Sequence, residues 1–205
     1  MAIISNGTTI ADAGAFSASL GSMTHIKTLT ASSSSTLSFV DGSADVVLDS
    51  TYPIYKFEFI NIHPATGTTH FSFQANAAGG SGFNETVTNT YARAYHAEDD
   101  SAGVFSYDGN RDYAQSTSFI QIISGIGNDN DSNGNGELFL FNPSSTTFVK
   151  HFIATTTTSY DDTAARHMFI AGYFNLTAAI DEFQFKMSSG NIDAGKIKLY
   201  GIKDS

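Results

Sequence analysis

Asp129, Asp131 and Asn133 alternate in the stretch GIGNDNDSNGNGE, residues 125–137, with Gly134 next and Glu137 at the end. Oxygen-bearing side chains at every second position ahead of a glycine can wrap a calcium ion. Counted from Asp129, oxygens fall at positions 1, 3 and 5 and glycine at 6, as in an EF-hand loop, and Glu137 falls at 9. Position 12, where an EF-hand places a bidentate glutamate, is Leu140, and no flanking helices are evident. Two readings remain. One is a calcium loop of another type, with Asp129, Asp131, Asn133 and Glu137 as ligands. The other is a long polar hairpin tip, because Asn, Asp, Ser and Gly tolerate left-handed backbone and make Asx-turns. The tip explains the residues with fewer assumptions, and no other cofactor is expected.

A second cluster, HAEDD at 96–100, can set His96, Glu98 and Asp100 on one side of an extended segment. It lacks a second positioned ligand group, so a solvated loop is the simpler expectation. The remaining histidines show no HExxH spacing, and His151 and His167 are expected on strand faces. Glycosidase chemistry needs two carboxylates at a defined separation. Asp181 and Glu182 are adjacent, so on a strand they point to opposite faces, and Glu58 has only Lys56 and Ile60 two residues away. Neither a G-x-S-x-G elbow nor a phosphate-binding glycine motif is present, and there is no tryptophan for sugar stacking. A non-enzymatic protein is expected.

The elements that must carry these residues follow from composition and period. The chain has 205 residues, enough for one all-β domain with a full core. Its 17 Phe and 9 Tyr supply the large apolar surfaces, while only 15% of residues are charged, so the surface is polar but largely uncharged. A net charge of −10 with three Arg leaves no basic stripe for nucleic acid. Cysteine is absent, which fits a reducing cytoplasm or a particle assembled there. The opening MAIISNGTTIADAGAF lacks the pattern of a signal peptide, and no run is apolar enough for a membrane span.

Period two dominates. In IYKFEFINI (54–62), Tyr55, Phe57 and Phe59 share one face and Lys56 and Glu58 the other. THFSFQA (69–75) repeats the pattern, and the Pro/Gly turn between them predicts a hairpin. TSFIQIIS (117–124) and ELFLFN (137–142) form a second expected pair, and TTFVKHFIATTTTSY (146–160) and RHMFIAGYF (166–174) a third. DEFQFKM (181–187) and GKIKLYGI (195–202) close the chain, with Ile197, Leu199 and Gly201 inward. HIKTLT, TLSFV, DVVLD and YARAYH are shorter candidates, and at most a turn or two of helix fits at 11–20 or 176–180. The expected fold is an all-β antiparallel β-sandwich, jelly-roll-like, with about eleven strands. Residues 1–45, with weaker strand pattern and the linker-like TASSSST, form an N-terminal arm, and 46–205 the sandwich domain.

Three stretches carry a resemblance: YKFEFINIHPATGTTHFSFQANAAGGSGFNETVTNTYARAY, GELFLFNPSSTTFVK, and the ending AAIDEFQFKMSSGNIDAGKIKLYGIKDS with its SGNI-x-x-G-x-I-x-LYGIK signature. Together they resemble tailed-bacteriophage virion proteins with a jelly-roll or concanavalin-like sandwich. The opening MAIISNGTTIADAG is similar to leader segments of phage tail and fibre proteins. The resemblance implies a structural or host-contacting component of the outer particle, assembled in the bacterial cytoplasm: a tail, fibre or collar component, or a capsid decoration protein. It implies other virion proteins as partners, a homo-oligomer such as a trimer, and contact with host-surface glycan. It carries no catalytic or binding residues. The polar stretches 32–36, 125–136 and 155–159 are expected as loops facing solvent, a neighbour or the host. A lectin-like carbohydrate-binding module is the alternative.

Overall fold

In the computed structural model, residues 3–5, 8–12, 15–16, 22–160 and 163–204 are described. Alternation of apolar and polar side chains dictates the result: nearly every strand buries one face. In β6 (Ile54–Pro64), Tyr55, Phe57, Phe59 and Ile62 are buried, while Lys56 and Glu58 on the other face are not.

The other strands of the main sheet are β4 (Met23–Thr30), β5 (Leu37–Val40), β7 (Thr69–Ala77), β8 (Val87–Ala97), β9 (Gly103–Tyr107), β10 (Ile120–Ile126), β11 (Gly134–Phe141), β12 (Lys150–Tyr160), β13 (Ala164–Phe174), β14 (Ile180–Met187) and β15 (Ile192–Ile202). All pairings are antiparallel. Eight strands run in the order β4-β15-β6-β11-β12-β13-β8-β9, and four in the order β10-β7-β14-β5. The two layers are hydrogen-bonded at one rung, Ile126 opposite Tyr160. Rings meet between the layers: Phe57 lies 5.2 Å from Phe185, Phe59 5.4 Å from Phe71, and Phe152 5.2 Å from Phe73. This is an all-β sandwich of jelly-roll kind, with 12 strands where the sequence gives about eleven.

Two expected pairings resolve differently, and the two closing strands are separated in the same way. β6 lies in the eight-stranded layer and β7 in the four-stranded one, and the same separation holds for β10 and β11 and for β14 and β15. Alternation shows that both strands of each pair bury a face, but facing each other across the core satisfies this as well as lying side by side. Only β12 and β13 form the expected hairpin, in unbroken register from Lys150–Phe174 to Tyr160–Ala164. DVVLD (45–49) is loop rather than strand, entered through Ala44 and Asp45 at positive φ, yet Val46 and Leu48 plug the core. Residues 176–179 are irregular rather than helical, with Ile180 opening β14, and 11–20 lie partly outside the described residues.

The arm boundary moves. β4 pairs with β15, β5 pairs with β14, and Phe39 is completely buried. TASSSST is clamped to the chain end, with the amides of Ala31, Ser33 and Ser34 donating to the carbonyls of Gly195, Asp193 and Ile192. Residues 23–45 are therefore sandwich. Before them, β1 (Ile3–Ser5), β2 (Thr8–Asp12) and β3 (Ala15–Phe16) pair in a small sheet of their own.

Candidate functional site

The exposed face of the eight-stranded layer carries most of the residues singled out above. Residues 155–159 are not a loop but the body of β12, where Thr155, Thr157 and Ser159 point outward. Ser159 stands opposite Ala165, which stands opposite His96, so one row of the ladder crosses β12, β13 and β8. Asp131 and Asn133 approach that row from the β10–β11 connection, and Glu98 approaches from the end of β8. Together they line an open cleft of about 410 Å³. The fold thus brings the two sequence clusters, distant along the chain, to one place. Lined by carboxylates, amides and hydroxyls, the cleft suits hydrogen bonding to polar groups.

The calcium shell is not assembled there. The Glu137 carboxylate turns to Lys56, at 2.9 Å. The Asp129 carbonyl takes His63 Nε2 and the Ser132 amide. Asn133 accepts the Asn135 side-chain amide through its own side chain and the Thr158 hydroxyl through its carbonyl. Among the described residues no three His, Asp or Glu side chains stand where they could hold a metal ion. The stretch is also no hairpin tip, since it joins the two layers. In the second cluster, exposed His96 pairs with Asp100 at 3.3 Å, and Glu98 stays in the cleft.

Sequence spacing missed a pair that register makes. Glu137 of β11 lies directly opposite Glu58 of β6. Cross-strand neighbours sit roughly 4.5–5.5 Å apart at Cβ, close to the spacing of a retaining glycosidase. Lys56 decides against that chemistry by contacting both, at 3.0 Å to Glu58 and 2.9 Å to Glu137. Partial burial works to raise the Glu58 carboxyl, but the hydrogen bond and charge of Lys56 outweigh it and hold it below the usual glutamate range. A glycosidase general acid needs the opposite shift. The three residues form an ion-pair network that covers the Phe139 ring, 5.6 Å from Lys56 Nζ.

No family model, curated protein or solved structure matches this chain.

Removing Lys56 gives a pH-dependent result. The Lys56→Gln variant leaves two carboxylates facing each other, at a cost of about 1 kcal/mol near neutrality because Glu137 is well exposed and screened. In the parent, Glu58 is depressed, so its contribution is present above the unfolded glutamate value and is lost as pH falls through the folded one. In the variant the facing carboxylate opposes ionisation of Glu58, so the penalty is largest above about pH 6 and fades toward about pH 4. Urea midpoints of both proteins across that range check it. A difference that does not change with pH would refute the network.

Proposed function

We propose that this chain is a non-enzymatic structural component of a tailed-phage virion, working on the outer particle through protein–protein contacts. The observation that carries the reading is the uncovered face of the eight-stranded layer. Phe105, Tyr107, Ile153 and Phe169 are exposed there, with Phe105 and Phe169 6.0 Å apart. Ala92 and Ala94 of β8 stand opposite Phe169 and His167, which keeps the surface low between the rings. A flat aromatic surface of this kind marks an interaction site. It continues to β9, the edge strand, whose outer backbone groups are open to pairing with another chain. The separate sheet before Met23 supports an attachment arm, and the phage-like stretches supply the particle.

Quantitative mass spectrometry of purified particles tests this. Copy numbers near the major shell protein make the chain a decoration protein, and a few dozen or fewer make it a tail, fibre or collar component. Absence from particles overturns the proposal. Deleting residues 1–21 is expected to abolish incorporation while leaving a folded sandwich.

A lectin-like role is the second reading, favoured by the polar cleft at Asn133 and His96. Selective binding on a glycan array, lost when Asn133 and Asn135 are replaced by alanine, would support it.

A further inference from the structure

We propose that the inner margin of the eight-stranded layer, beside the end of β10 of the four-stranded one, is a binding pocket for a carboxylate-bearing sugar. The register builds it. On the core-facing side, Arg166 of β13 lies opposite Tyr95 of β8, which lies opposite Val104 of β9. Arg93 and Ser106 occupy the next inward row. With Tyr160 these residues enclose about 290 Å³, near the lower end of small-ligand sites at about 300 Å³ and enough for one monosaccharide.

The charges there are unbalanced. The chain carries net −10 and only three Arg, yet two of them line this one pocket. Asp108 already divides one carboxylate oxygen between Arg93 at 3.1 Å and Arg111 at 2.6 Å. Arg166 is 5% exposed, and among the described residues no acidic side chain pairs with it. Its Nη1 donates to the carbonyl and hydroxyl of Ser124, while its buried Nε has no partner. The Tyr160 ring lies 3.4 Å from the guanidinium and the Tyr95 ring 5.7 Å. Burial first, then the charge of Arg93, works against the charged form of Arg166.

A buried guanidinium that no described acidic side chain neutralises is costly, and an anion entering between Arg93 and Arg166 offsets that cost. Guanidinium recognises carboxylate by paired hydrogen bonds. Tyr95 and Val104 offer an apolar wall, which a sugar ring can use and a free inorganic anion cannot. Ser106 is placed for a ring hydroxyl. The pocket rests on neither reading of the chain's role: particle composition and sugar binding are separate measurements, and either can fail alone.

Calorimetric titration of the full chain at low salt with glucuronate, glucose and inorganic phosphate tests the site. Glucuronate is expected to bind saturably, and glucose at least about tenfold more weakly. Arg93→Gln removes one guanidinium but also loosens Asp108, so Val104→Trp serves as a second variant that fills the pocket and keeps both charges. Each is expected to weaken glucuronate by about tenfold or more. Equal binding of glucose, phosphate binding as tightly as glucuronate (an adventitious ion only), tighter binding of a short acidic peptide, undiminished binding by Val104→Trp, or no saturable binding would each overturn the assignment.

Discussion

Replacing Phe185 with alanine is expected to destabilise the sandwich by about 3–5 kcal/mol, the range for a fully buried phenylalanine whose cavity cannot collapse. Phe185 sits on β14 between β7 and β5, and its ring meets five others. Phe71 stacks on it at 5.7 Å with 12° between planes, while Phe57 at 5.2 Å and Phe59 at 5.5 Å reach it from the opposite layer. Loss of this ring therefore unpins both layers at once. Neighbouring phenylalanines on regular strands cannot close the gap without moving backbone. Against a total stability of about 5–15 kcal/mol, the change consumes a large share of the margin. Chemical denaturation reads it as a lower midpoint at unchanged slope. Phe169→Ala, on the exposed face, is the control and is expected to change stability by less than about 0.5 kcal/mol. Similar losses for both variants would mean that Phe185 is not the centre of the core.

Period two made this core legible. The inward set Tyr55, Phe57, Phe59, Phe71, Phe73, Ile197 and Leu199 follows from alternation alone, and all are buried. Alternation says which face is buried and not what it meets, so partners were lost where strands face each other across the core. β7 shows a second limit. Its Ser72, Gln74 and Asn76 are polar, yet they are buried as well. The Gln74 amide donates to the carbonyls of Glu85, Thr117 and Ser118, so irregular chain covers the back of that strand. No local pattern encodes such a cover.

The sites were less legible than the core for the same reason. Oxygen spacing in 125–137 suggested one self-contained shell, but the cross-strand position of Glu137 commits it to Lys56. The Glu58–Glu137 pair is separated by 79 positions in sequence and by one rung in space, 137 − 58 giving the difference. One signal was available. Tyr91, Arg93 and Tyr95 alternate on the inward face of β8, and an arginine at an inward position departs from the apolar pattern of a core-facing row, with Asp108 as its partner on one side. That departure marks the pocket more directly than any motif does.

Gly201→Ala is the second large loss expected, about 1–3 kcal/mol for forcing a group into filled space. Gly201 sits on the inward row of β15, opposite Tyr55 of β6 and Thr24 of β4. A Cβ there comes within 2.6 Å of Tyr52 Cγ, Cδ1 and Cδ2, far closer than contact allows. Tyr52 is buried edge-on to Tyr55, 5.7 Å away at 82°, so it has little room to swing aside. It also anchors the irregular segment whose Val46 and Leu48 plug that end of the core. A displaced ring would release this plug as well as the packing on β15. The position has no positive φ, so the cost arises from the ring alone and not from backbone strain. Combining Gly201→Ala with Tyr52→Ala isolates that term. Coupled residues depart from additivity by about 0.5–3 kcal/mol, so the double variant should be less destabilised than the sum of the singles. Strict additivity would show that the ring and the glycine do not meet, and that the close approach on β15 has another partner.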